Sequence, residues 1–167
     1  AAGRHFKINS NGTATFSNTT LKGESKGGGI DVAGGTATFT GTTFDGNKTT
    51  DKGGAIYAEN GTDVTFDAVT FTGNSAKDGG AIYVKSGVLT LPEGVKLTTN
   101  NATDNGGAVY AASGVDVKFG AATFEGNHSK KKGGALYVSE SITVNENVTF
   151  QKNGADGTDG MGGAIYS

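Results

Sequence analysis

Apolar side chains in this chain alternate with polar ones in short runs, as in Val64-Thr65-Phe66, Val117-Lys118-Phe119 and Ile142-Thr143-Val144. Period-two alternation puts successive side chains on opposite faces of an extended backbone. No window sustains the i, i+3, i+4, i+7 spacing of an amphipathic helix, so the pattern predicts strands throughout. The runs are rich in Val, Ile, Thr, Phe and Tyr and are separated by Gly, Asn, Asp and Ser, the residues of turns.

The runs also repeat. Gly53-Gly54-Ala55-Ile56 recurs as Gly79-Gly80-Ala81-Ile82, Gly106-Gly107-Ala108-Val109, Gly133-Gly134-Ala135-Leu136 and Gly162-Gly163-Ala164-Ile165, with Gly27-Gly28-Gly29-Ile30 as an earlier variant. The first glycines are spaced by 26, 26, 27, 27 and 29 residues. A second motif, Phe-x-x-Asn, keeps step: Phe44 with Asn47, Phe71 with Asn74, Phe124 with Asn127 and Phe150 with Asn153. Leu97 with Asn100 fills the gap, and Leu21 with Glu24 is a degraded first copy. Three short strands in about 27 residues make one coil of a parallel β-helix. The fold expected is therefore all-β, a right-handed parallel β-helix of about six coils of three short strands, forming a rod about 29 Å long. A single domain covers residues 1–167, with an irregular first coil over 1–26 and regular coils over 27–167.

Stacking the coils turns sequence columns into ladders. Phe16, Phe39, Phe66, Leu91, Phe119 and Val144 form one inward column, and Leu21, Phe44, Phe71, Leu97, Phe124 and Phe150 another, which places eight of the nine Phe in the core. Their neighbours two residues earlier, such as Val64, Leu89, Val117 and Ile142, extend the inward face, while Thr38, Thr65, Thr90, Lys118 and Thr143 face solvent. The Asn of Phe-x-x-Asn falls at a corner, where it tolerates left-handed backbone and its amide can bond to the amide one coil above. The glycine pair suits a bend with positive φ and close contact between coils. All five tyrosines, Tyr57, Tyr83, Tyr110, Tyr137 and Tyr166, follow the aliphatic residue of the glycine motif and form an outward ladder. It either shields the seams between coils or offers a protein-binding strip.

Composition sharpens this picture. Thirty of 167 residues are Gly and one is Pro. Glycine at about 18%, against a usual share of about 7%, falls short of low-complexity disorder and lacks the strict period of collagen. With 14 basic and 16 acidic residues and Arg4 as the sole arginine, the chain is a poor nucleic-acid binder. The absence of Cys removes disulfides, thiolate metal sites and thiol nucleophiles. No apolar run approaches about 18 residues and no leader pattern opens the sequence, so an exported protein would be represented here by an excised piece.

Polar loops of differing length precede each glycine pair. Lys130, Lys131 and Lys132 beside His128 form the basic cluster, which is either a solvated loop or a contact for anionic glycans or an acidic receptor surface. Asp156 and Asp159 resemble part of a calcium loop but occur once, without the repeated pattern of such loops. No convergent set of acids and bases marks a catalytic site, and His5 and His128 lack repeat partners. A Thr-x-Thr array of the ice-binding kind, begun by Thr13-Ala14-Thr15 and Thr36-Ala37-Thr38, lapses after two coils.

The interleaved GGA(I/L/V) and Phe-x-x-Asn motifs, from about Phe16 to Tyr166, resemble the passenger domains of the chlamydial polymorphic membrane proteins. Leu21, Glu24 and Gly29 in the first coil depart from that pattern. The resemblance implies an autotransporter passenger, displayed on the bacterial surface or secreted after processing, that acts as an adhesin for host epithelial cells. It implies a host cell-surface protein receptor, self-association, and contact with a membrane only through a carboxy-terminal barrel that this sequence lacks. Both motifs would then take part in adhesion. That makes Gly53, Gly54, Ala55, Ile56, Phe71, Asn74, Gly79, Gly80, Ala81, Ile82, Phe124, Asn127, Gly133, Gly134, Ala135 and Leu136 the candidate receptor-binding residues. Tyr57, Tyr83, Tyr110, Tyr137, Lys130, Lys131 and Lys132 are the candidate contact surface. No catalytic residue, metal or cofactor is expected. The rival reading is a structural, self-assembling stalk without receptor contact.

Overall fold

The computed structural model describes residues 4–23, 27–144 and 147–167, and every named strand in it pairs in parallel with its counterparts on adjacent coils. Sheet 1 has seven strands: Phe6–Asn9, Ile30–Ala33, Ile56–Glu59, Ile82–Val84, Val109–Ala111, Leu136–Val138 and Ile165–Tyr166. Sheet 2 has five: Thr13–Ser17, Thr36–Thr40, Thr62–Asp67, Gly87–Leu91 and Val115–Phe119. Sheet 3 has six: Thr20–Lys22, Thr43–Asp45, Thr70–Thr72, Lys96–Thr98, Thr123–Glu125 and Thr149–Gln151.

The expected ladders are present in register, with Phe39 opposite Phe66 and Phe44 opposite Phe71. Phe39, Phe44, Phe71 and Phe124 are fully buried. Within a column the rings stack, as Phe44 does on Phe71 at 4.9 Å, and between columns they meet edge to face, as Phe66 does with Phe71 at 5.4 Å. Phe6, the ninth phenylalanine, is 46% exposed and leans edge-on against Phe16 at 5.3 Å.

The glycine pair divides its labour. Gly79 has φ +62°, and a Cβ there would also strike the Ile82 carbonyl. A Cβ on Gly80 would strike the carbonyl of Gly107 one coil on, so the first glycine turns the chain and the second lets the coils touch.

The structure corrects the expected coil in three ways. A fourth sheet of two-residue strands, Ser75–Ala76, Asn101–Ala102, His128–Ser129 and Gly154–Ala155, directly follows the Asn of Phe-x-x-Asn. The asparagines hold adjacent coils in register there, so pairing continues past the corner, as in Asn101 N to Asn74 O at 2.9 Å. Secondly, the left-handed residue is the one before the Asn: Gly46, Gly73, Thr99, Gly126 and Lys152 have φ between 53° and 64°. The Asn side chain can then point inward.

Thirdly, Ile142-Thr143-Val144 is not a strand; sheet 2 ends at Val115–Phe119. Val144 is 41% exposed instead of joining the core column, and Ile142 is only partly buried. Spacing explains the loss. From Tyr110 to the inward Val117 the chain has seven steps in which to turn the corner, but from Tyr137 to Ile142 it has five. The alternative register, aligned on coil two, would turn Thr143 and Asn145 inward. The degraded Phe-x-x-Asn copy at Glu24 lies outside the described residues.

Candidate functional site

The asparagine corner is a continuous buried ladder. The Asn100 Nδ2 donates to Phe71 O at 3.1 Å and to Asn127 Oδ1 at 2.9 Å. Its own Oδ1 accepts from the Asn74 backbone N–H at 3.0 Å and the Asn74 Nδ2 at 2.9 Å. The same four-bond pattern holds at Asn74 and Asn127, and each amide is thereby satisfied without water. At the lower end Asn47 Oδ1 has no partner among the described residues.

All sixteen motif residues proposed from resemblance as receptor-binding (the Gly, Ala and aliphatic positions from Gly53 to Leu136, together with Phe71, Asn74, Phe124 and Asn127) lie in the interior. What they offer a partner in the folded coil is the shape and spacing they impose, not side-chain contact.

Sheet 1 carries the tyrosines on its outer face. Tyr57 faces Tyr83 at 5.5 Å, Tyr83 faces Tyr110 at 4.7 Å, Tyr110 faces Tyr137 at 4.6 Å and Tyr137 faces Tyr166 at 5.4 Å, all stacked. A regular strand spacing of about 4.8 Å enforces this, and each stack contributes about 0.5–1.5 kcal/mol. The ring faces cover one another, so Tyr83 is only 6% exposed while Tyr57, Tyr110, Tyr137 and Tyr166 are half-buried. The strip turns ring edges and hydroxyls outward. Seam shielding is thus visible in the geometry.

Its polar rim was not legible beforehand. The residue before each glycine pair forms a column of its own, with bridges Lys52 to Asp78, Asn105 to Lys132 and Lys132 to Met161. From it Lys52 Nζ sits over the Tyr83 ring at 4.8 Å, and Lys132 Nζ over Tyr166 at 4.4 Å. Arg4 covers Tyr57 at 5.5 Å and donates to Gly53 O at 2.6 Å and to Lys52 O. On the other rim Tyr57 Oη donates to Glu59 Oε2 at 3.0 Å, and Lys85 Nζ meets the same oxygen at 3.2 Å. Burial, followed by the bond to Glu59, pushes the Tyr57 phenol up to about 12. Burial also pushes Tyr110 up. Burial raises the Glu59 carboxyl, but the hydrogen bonds from Lys85 and Tyr57 outweigh it and the net shift is downward. A period-27 search for the residues flanking each tyrosine would have found this rim.

The lysine cluster is largely spent on the fold. Lys131 pairs with Asp104 at 2.8 Å and Lys132 donates to Tyr166 Oη at 3.0 Å, which leaves Lys130 as its freely solvated member. Asp156 bonds His128 Nδ1 at 2.6 Å, and no three His, Cys, Asp or Glu among the described residues cluster as a metal site.

Two family models match the chain: the right-handed β-helix region over residues 3–153 and the Chlamydia polymorphic membrane protein repeat over residues 147–167. No curated protein and no solved structure matches it. The first match covers nearly the whole coil and fixes its hand, and the second ends on the last glycine motif and its tyrosine. The chain therefore belongs to the right-handed β-helix family, and its last repeat, residues 147–167, is similar to the Chlamydia polymorphic membrane protein repeat.

Proposed function

We propose that the chain is part of a bacterial surface adhesin, an autotransporter passenger that attaches to host epithelial cells through a cell-surface protein receptor. The observation that carries this reading is the tyrosine strip: five rings in register on one outer face, rimmed by charged and amide side chains, outside a scaffold whose motif residues are buried. Aromatic edges with hydroxyls, set in a polar rim, are the composition of protein-binding surfaces. Because the same small patch recurs on each coil, contact is multivalent, and associated coils raise the effective concentration. Deleting coils should lower avidity in steps.

A scan of the outer faces tests the proposal. Beads coated with the protein should bind epithelial cells and be displaced by the soluble chain. Lys85→Glu with Ser139→Glu, each directly following a sheet 1 strand on the rim of the tyrosine strip, should abolish binding, whereas Thr72→Glu with Thr98→Glu on sheet 3 should not. Absence of cell binding would favour the stalk reading, which the burial of all sixteen motif residues supports, and loss from the sheet 3 pair alone would overturn the tyrosine strip as the contact surface.

A further inference from the structure

Sheet 2 contains one irregularity that the repeat does not explain. Between the second and third coils it pairs over five positions, from Thr36 opposite Asp63 to Thr40 opposite Asp67. Between the third and fourth, pairing stops at Leu89 opposite Val64. Thr90 and Leu91 leave Thr65 and Phe66 unaccompanied, although they pair with Lys118 and Phe119 on their other side. The cause is the chain's sole proline. Pro92 takes the position held by Thr40 and Asp67 in the coils below, and it has no N–H to give to a ladder. The corner is also one residue longer, six steps from Leu91 to Leu97 against five from Phe66 to Phe71, and it closes in a turn where Val95 N donates to Pro92 O at 3.3 Å.

The strands part into a groove of about 500 Å³, with Thr36, Asp63, Thr65 and Thr90 as its polar lining and Val88 and Pro92 as its apolar wall. Val88 is 43% exposed. The carboxylate of Asp63 has neither a hydrogen bond nor an ion pair among the described residues, and the three hydroxyls are equally uncommitted. Asp31, Asp45, Glu59, Asp104, Asp116 and Glu125 each meet a lysine, whereas Asp63, like Asp67 and Glu93, has no ion pair among the described residues.

We infer that this groove binds a neutral oligosaccharide. A free carboxylate accepts strong hydrogen bonds from ligand hydroxyls, and threonines both donate and accept, so the set matches a polyol rather than an anion. The groove is lined by one carboxylate, too few for a calcium ion that takes about six to eight oxygens. Val88 and Pro92 cover the C–H face that a sugar ring presents beside its hydroxyls. Along and across the strands the oxygens lie on a grid of about 4.8 by 6.7 Å, the dimensions of a sugar ring and its substituents. Since the proline corner occurs once, the site is single, unlike the tyrosine strip, and it stands whether or not that strip binds cells.

The test is titration of the 15N-labelled protein with N-acetyllactosamine, chitotriose and mannotriose, each to about 10 mM, a range that captures weak single-site affinities. At least one should shift the amides of Thr65, Val88 and Thr90 with one saturating site. Asp63→Asn should weaken it about tenfold, and Val88→Lys should abolish it. Both side chains are exposed, so an otherwise unchanged amide spectrum should confirm that the coil is intact. The inference is overturned if none of the three shifts those amides, if Asp63→Asn binds as the parent does, or if calcium chloride alone shifts them equally.

Discussion

Replacing Asn100 by Ala removes the centre of the asparagine ladder, and the structure fixes what is left behind. Four hydrogen bonds vanish from a side chain with no solvent exposure. The Asn74 backbone N–H, one hydrogen of its Nδ2 and the Phe71 carbonyl lose these partners, whereas Asn127 Oδ1 keeps the Asn100 backbone N–H at 3.0 Å. At about 1–3 kcal/mol for each orphaned group, reduced where water enters the gap, the loss is about 3–6 kcal/mol. That is a large part of the roughly 5–15 kcal/mol available to a domain. Asn153 has the same partners below it but is partly exposed, so Asn153→Ala should cost only about 1–2 kcal/mol. Urea unfolding followed by far-ultraviolet circular dichroism measures both. Asn100→Asp adds a check of sign. It keeps the acceptor but loses both donors, setting a buried carboxylate against the Phe71 carbonyl and Asn127 Oδ1. Its folded pKa must rise, so this variant should be more stable at pH 4 than at pH 7. Equal costs at positions 100 and 153, or a cost below about 1.5 kcal/mol at Asn100, would refute the ladder as the element that locks the coils.

Other expectations follow from single positions. Gly107→Ala drives a Cβ into the Gly134 carbonyl and should cost more than about 3 kcal/mol or prevent folding, whereas Gly61→Ala, at φ +67° with open space around it, should cost about 1 kcal/mol by thermal melting. Thr99 is an exposed β-branched residue at φ +53°, so Thr99→Gly should stabilise by about 0.5–1 kcal/mol, a rise in urea midpoint at unchanged slope. Tyr57, raised to about 12 in the folded chain from an ordinary value near 10, binds its proton more tightly when folded. Its contribution is therefore full below pH 10 and lost between pH 10 and 12. Glu59→Gln should move its phenolate absorbance titration to lower pH, and no movement would remove Glu59 as a cause.

The inward columns were legible because a β-helix shows each side chain's environment several times. Phe44, Phe71 and Phe124 occupy one physical site, and the repeat reveals it without any long-range inference. The glycine pair was readable for the same reason. What escaped was set by backbone geometry between columns. The left-handed residue before each Asn is Gly in three coils but Thr99 and Lys152 in two, so its identity hides its conformation. Ile142-Thr143-Val144 alternates as well as any strand here, yet the five-step corner before it denies it a place in sheet 2. Alternation reports what a segment would bury, not whether the chain can reach the ladder.

The candidate surfaces divide along the same line. A side chain that repeats every coil satisfies a requirement that every coil shares, and in a thin rod that requirement is packing. The asparagines and phenylalanines are interior, and even the outward tyrosines spend their ring faces on one another. Repetition can still produce a binding strip, but only one of weak and equal contacts whose strength comes from their number. A discrete site needs a feature that one coil has and its neighbours lack. Pro92 is such a feature: it interrupts one ladder on a face where Val88 is exposed and Asp63 has no ion pair among the described residues. The loop lysines also differ from coil to coil, yet Lys131 and Lys132 are already engaged by Asp104 and Tyr166. Selective recognition by this rod should therefore be sought where the period fails and side chains remain uncommitted, and the proline corner meets both conditions.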